Sequence, residues 1–183
     1  MASSNAVFYR SRLWTFIWVY ILSIYLSLPF MRSILGFLKE SLGRSNFSLL
    51  LSLTMLFVGL VILIWGGRRS LKHCALAAIP LIIIGVTSFN LSIPEERVHF
   101  LQYGLLGVMV TATARDESIT LVAKLAVFAI LVGVIDEAIQ WCLPNRVGDL
   151  RDVAFNTVAA ILGIWIGKTL FGQPSSGSPP QSP

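Results

Sequence analysis

Three stretches of this chain run without a charged residue for as long as a lipid bilayer is thick: Leu13–Phe30, Phe47–Gly67 and Cys74–Ile93. About 18 or more apolar residues, coiled at about 1.5 Å per residue, cross the hydrocarbon layer. No water is present there to satisfy backbone N–H and C=O groups, so each run must satisfy its own, as a helix does. A soluble protein can bury one such helix. Three of them do not fit a soluble composition. Of the 183 residues, 55% are hydrophobic and 13% are charged, against about 25% charged in an ordinary soluble domain. Mean hydropathy is +0.77.

Three weaker segments follow. His99–Ala114 is apolar but short. Ser118–Leu143 carries Lys124 near one end and Asp136 and Glu137 near the other. Val153–Phe171 contains Asn156 and Lys168. All six segments are expected to span. The predicted class is therefore all-α: a multi-pass transmembrane helical bundle of about six spans. Residues 1–73 hold two N-terminal spans with basic loops, and residues 74–171 a four-helix core. Residues 172–183, only Gly, Ser, Pro and Gln, form a tail with no apolar surface to bury and are expected to be disordered. Met31–Asn46 reads as a basic loop. It would hold a short interfacial helix, since Ile34, Leu35, Leu38 and Leu42 recur at helical spacing. Leu28-Pro29-Phe30-Met31 follows the first run where a small-residue cleavage site would be needed, so that run is expected to be retained as a span.

The net charge of +5 raises the question of nucleic acid. However, Arg10, Arg12, Arg68, Arg69 and Lys72 flank the apolar runs, where they set topology and meet anionic headgroups. No basic stripe with interleaved aromatics stands outside them, so membrane lipids are the expected partners and nucleic acid is not. Counting Lys and Arg by side slightly favours cytoplasmic termini in the plasma (inner) membrane, with the loops near 92–97 and 144–151 facing outward. Trp14, Trp18, Trp65 and Trp141 are expected to anchor the interfaces. Cys74 and Cys142 have no metal-ligand spacing, and no cofactor is implied. In the last segment Ala159, Gly163 and Gly167 recur every fourth residue, and Gly104 and Gly107 stand in the fourth. Small residues so spaced let helices approach closely, within the chain or between chains.

Charge at membrane depth is expensive, so its location is informative. One cluster opens the fourth segment: Pro94, Glu95, Glu96, Arg97, His99, Gln102 and Tyr103. Pro94 suits a first helical position and Ser92 a cap. In a helix Glu95, His99, Gln102 and Tyr103 share a face. The second cluster leaves the fifth segment with Asp136, Glu137 and Gln140. It continues through Pro144, Arg146, Asp149, Arg151 and Asp152 to Asn156. Asp149 is placed to cap the last helix, and Asp149, Asp152 and Asn156 share one face. Both clusters lie at the same end of their helices and would meet in one polar pocket.

Two motifs in order resemble the VanZ-like family. The first is Glu95-x-Arg97-x-His99-Phe100-x-x-Tyr103-x-Leu105-Leu106-Gly107. The second is Asp136-Glu137-x-x-Gln140-x-x-x-Pro144-x-Arg146-x-x-Asp149-x-x-Asp152-x-x-x-Asn156, with Gly163 in the last helix. The likeness covers about Cys74–Phe171 and leaves out the two N-terminal spans. Where the family often has Asp-Lys this chain has Glu95-Glu96, which moves the positive charge to Arg97. The resemblance implies a bacterial integral membrane protein. The founding member is linked to low-level teicoplanin resistance, and the family has no settled reaction.

Two functions from different classes fit these residues. In one, the rim binds an anionic lipid or a cell-wall precursor, with Arg97, His99 and Arg146 on the headgroup. In the other, the chain is a membrane-embedded hydrolase or transferase on a lipid-linked substrate, with His99, oriented by Glu95, and Glu137 as acid/base. Arg146 and Arg151 read most simply as salt bridges closing the pocket. An oxygen-rich metal site from His99, Glu137, Asp149 and Asp152 lacks tight ligand spacing, so no metal is expected.

Overall fold

The computed structural model describes residues 2–91, 93–114, 118–144 and 148–172, with side chains from Ser11 onward. Its helices are α1 (Ala2–Leu42), α2 (Arg44–Arg69), α3 (Leu71–Phe89), α4 (Arg97–Thr111), α5 (Ile119–Cys142) and α6 (Leu150–Phe171). A 3₁₀ turn, Pro94–Glu96, leads into α4. There are no strands among the described residues.

Two single residues separate the first three helices. Gly43 stands between α1 and α2 at φ 76, a left-handed conformation that favours glycine. Ser70 stands between α2 and α3 in an extended conformation, and its hydroxyl accepts from the His73 backbone N–H, the usual device of an N-cap serine. The expected loop Met31–Asn46 is therefore not a loop: α1 runs through Pro29 to Leu42. At about 1.5 Å per residue this helix of 41 residues is about 60 Å long, roughly twice the hydrocarbon thickness. Pro29 and the basic residues after it suggested a span end, but helix-forming residues on both sides carry the backbone through. The expected tail 172–183 lies, apart from Gly172, outside the described residues.

Five helices are long and apolar enough to cross a membrane: α1 over Ser11–Leu42, α2, α3, α5 and α6. The exception is α4, the fourth expected span. Its 15 residues reach about 22 Å, short of the roughly 30 Å of hydrocarbon. It is a short inner helix that runs parallel to α6 from one end of the bundle toward the other. Gly104 meets Ala159 and Gly163, Gly107 meets Ala160 and Gly163, and Thr111 meets Gly167. A Cβ on Gly163 would stand 2.1 Å from the Gly104 carbonyl oxygen, and one on Gly107 2.3 Å from the Ala160 carbonyl oxygen. The small-residue pattern thus serves packing within the chain.

Phe100, Tyr103, Leu106 and Val110 of α4 share a core with Ala159, Ala160 and Ile164 of α6 and Leu125, Ala129 and Val132 of α5. Ile17 and Ile21 of α1 close it. Tyr20 and Tyr25 of α1 donate to the Gln102 and Val132 carbonyls at 3.0 and 2.8 Å. By contrast α2 leaves Leu49, Leu50, Leu53, Leu56 and Phe57 exposed. That exposure suits lipid, which is as apolar as these side chains.

The α4–α6 contact makes a graded prediction. Gly163→Ala forces backbone against backbone and should cost about 1–3 kcal/mol, read as a lower thermal midpoint in detergent. Gly85→Ala in α3, where a Cβ meets nothing within 4 Å, should be neutral or slightly stabilising.

Candidate functional site

The first turn of α4, the last turns of α5 and the first turns of α6 lie at one end of the bundle and bring the two polar clusters together. Asp136, Glu137 and Asn156 are each 1% exposed, an expensive location unless hydrogen bonds or opposite charge compensate. The bonds are specific. Tyr103 Oη donates to Asp136 Oδ2 at 2.7 Å. Glu137 Oε1 accepts from Gln140 Nε2 at 3.1 Å. Glu137 Oε2 accepts from the Asp149 backbone N–H, also at 3.1 Å. The Asp149 side chain meanwhile caps α6 by accepting from the Arg151 N–H. The cap of one helix is thereby tied to the carboxylate of another.

His99 is the centre of the arrangement. Its Nδ1 lies 2.9 Å from Asn156 Oδ1. Asn156 turns its amide nitrogen to the Gly133 carbonyl at 3.5 Å, which leaves its oxygen facing the ring. An amide oxygen accepts, so with the amide in this orientation His99 Nδ1–H is the donor. Nε2 faces Asp152 Oδ2 at 3.7 Å. Gly133 makes this possible, because a Cβ there would stand 2.9 Å from Asn156 Cβ. One donor atom each of His99, Asp136 and Glu137 lie within 4.8 Å of one another.

Several expected roles change. Glu95 does not orient His99. It sits on the 3₁₀ turn rather than in α4, and its carboxylate takes a hydrogen bond from Lys39 of α1. The extension of α1 beyond the expected span end brings Lys39 there, so the partner was hidden behind a misread loop. Arg97 is tied to neighbouring helices. It is 6% exposed, with Nε bonded to the Ser88 carbonyl at 3.1 Å and Nη1 to the Ser48 carbonyl at 3.1 Å and to the Ser48 and Ser52 hydroxyls at 2.9 Å. These three serines tie α2 and α3 to α4. No sequence signal marked them, since serine at this spacing is ordinary. Gln102 is fixed through its carbonyl, which accepts from Tyr20. Arg151 reaches Glu96 at 3.5 Å, a closing salt bridge of the expected kind. Arg146 and Ser92 lie outside the described residues.

The two acids of the 3₁₀ turn are opposed in charge behaviour. Burial would raise the Glu95 carboxyl, but the hydrogen bond and charge of Lys39, its own backbone N–H and the charge of Arg44 outweigh it and hold it low. Glu96 is raised: burial is the largest cause, and Asp152, Asp149 and Glu95 add to it against Arg151.

A bundle of apolar helices enclosing ionisable side chains at one end defines a polytopic membrane protein with an intramembrane polar site. The VanZ/LLP1 family model matches residues 4–171, nearly the whole chain, and the protein belongs to that family. The match extends over α1 and α2, beyond the part the two motifs mark. No curated protein and no solved structure matches.

Linkage gives Glu95 and Glu96 opposite signs. A raised carboxyl favours the fold while protonated, and that advantage is lost as pH rises from the ordinary carboxylate range through the raised value. A lowered one stabilises above the ordinary range and loses this as pH falls through the lowered value. Glu96→Gln should therefore raise the thermal midpoint at pH 7, with the gain shrinking toward about pH 4. Glu95→Gln should lower it at pH 7.

Proposed function

We propose that the chain carries out acid/base chemistry on the headgroup of an envelope lipid or lipid-linked precursor, as a membrane-embedded hydrolase or transferase. The observation that carries this reading is the fixing of His99. Asn156 holds Nδ1–H, and Nε2 is presented beside Asp152 among buried carboxylates. A base must be held in one tautomer with its lone pair directed at the reacting group, and must have a way to stabilise the imidazolium that forms. Asn156 meets the first need and Asp152 the second. Glu137, held on both oxygens, positions the start of α6 and hence Asp152. Tyr103 does the same for Asp136.

The alternative, simple binding of an anionic headgroup, is less well supported. Arg97 bonds Ser48, Ser52 and Ser88, and among the described residues Arg151 and Lys39 are ion-paired with Glu96 and Glu95. A bacterial inner membrane with cytoplasmic termini remains part of this proposal, because it would place the pocket on the outer face, where wall precursors are used. Teicoplanin susceptibility is the phenotype in which such processing would be seen.

The test uses full-length protein in liposomes with isotopically labelled envelope lipid extract. Wild type should convert one lipid class. His99→Gln should slow conversion at least about 100-fold while keeping its elution profile. Equal conversion by both, or none by either with an anionic lipid co-purifying with both, would overturn the enzymatic reading and leave binding.

A further inference from the structure

The three converging side chains have a chemistry that acid/base work alone does not require. His99 comes from α4, and Asp136 and Glu137 are consecutive on α5, yet one donor atom from each lies within 4.8 Å of the others. Around a tetrahedral ion with bonds of about 2.1 Å, donors sit roughly 3.4 Å apart, so small side-chain rotations close this set. Both carboxylates are 1% exposed and together carry the charge that neutralises a divalent ion.

The surroundings have the form of an outer shell. A ligating imidazole usually donates its other N–H to a fixed acceptor, and ligating carboxylates are themselves hydrogen-bonded. Here Asn156 accepts from His99 Nδ1, Tyr103 donates to Asp136, and Gln140 and the Asp149 N–H donate to Glu137. A further acid lies at this rim, ion-paired with Arg151 at 3.5 Å. Glu96 is 7% exposed, its Oε2 has no hydrogen-bond partner among the described residues, and it feels the charge of Asp152, which faces His99.

We infer that His99, Asp136 and Glu137 bind one divalent first-row transition ion, of the Mn²⁺ or Zn²⁺ type, with coordination positions left for water or a substrate oxygen. One imidazole with two carboxylates suits these ions better than a soft thiophilic metal. The inference deepens the acid/base reading and rests on the same pocket. With the ion bound, His99 is a ligand, and Asp152, 3.7 Å from its ring, becomes the nearest acid/base group.

The experiment reads binding without turnover, so the two proposals can fail separately. Full-length protein in detergent is stripped with chelator and titrated with Mn²⁺, the free ion being followed by electron paramagnetic resonance. The expected result is saturation at one ion per chain, tighter than about 100 µM. Pulsed spectra of the bound ion should show nitrogen modulation from one imidazole. His99→Gln should abolish that modulation and, like Glu137→Gln, weaken binding at least about tenfold. His73→Gln and Glu40→Gln should change neither. If His99→Gln fails to fold, nitrogen modulation in wild type that survives His73→Gln decides for the site. Absence of saturable binding, or modulation lost in His73→Gln, overturns it. Binding without lipid conversion supports the ion site and removes the enzyme. Conversion that survives chelation, with no saturable Mn²⁺ or Zn²⁺, does the reverse.

Discussion

The backbone-to-backbone contact of α4 with α6 is the constraint on which the rest depends. With Gly104 and Gly107 facing Ala159, Ala160 and Gly163, carbonyls and helix surfaces meet where side chains would otherwise stand. In lipid no hydrophobic drive pulls helices together, so dispersion at such a close contact supplies much of the association. The same contact sets the functional geometry. His99 of α4 and Asn156 of α6 lie one to two turns toward the helix starts from this seam, and their 2.9 Å bond requires the two helices to be this close. Parallel packing matters equally, because it puts both helix starts at one end. The end of α5 arrives there by running the other way.

Arg97 and His99 show how neighbouring residues of one motif divide the work. Arg97 donates to α2 and to the end of α3. It holds these lipid-exposed helices to the core, as a charged donor can when each bond contributes about 1.5–3 kcal/mol. His99, two residues on, points to the other side and meets α5 and α6. A short run of polar residues entering a membrane helix thus binds lipid-facing helices on one face and gathers the polar cluster on the other. Read linearly, the two looked alike.

Much of the molecule was legible because the bilayer imposes simple rules. Charge-free runs marked α1, α2 and α3, and the small-residue spacing in α6 marked the face that α4 uses. The asymmetry of polar residues identified the end of the bundle where His99, Glu137 and Asp152 meet. What escaped the sequence depends on three-dimensional continuation. The charge-free run ended at Phe30 but the helix does not, so Lys39 was placed in a loop and its bond to Glu95 could not be foreseen. A 3₁₀ turn in place of helical geometry at Pro94–Glu96 moved Glu95 away from His99. Asp152 and Asn156 were recognised as sharing a face, but only the seam between α4 and α6 shows that this face is turned to the imidazole.

The residues of the site also separate by what stability alone would select. Glu95 is paired by Lys39, and Asp149 caps α6, so each has a structural reason to be there. Asp136 and Glu137 are tied to α4 and to the start of α6 as well, but at a higher cost. They lie more than a turn from the end of α5, where a helix dipole offers a carboxylate nothing. They are almost fully buried, and they draw in Tyr103, Gln140 and the Asp149 N–H to be tolerated at all. Replacing such a buried polar group and its partners by apolar ones of like shape is often neutral or stabilising. Two adjacent buried carboxylates beside a histidine are costly in lipid, and that cost is the physical argument behind the proposal that this end of the bundle carries chemistry.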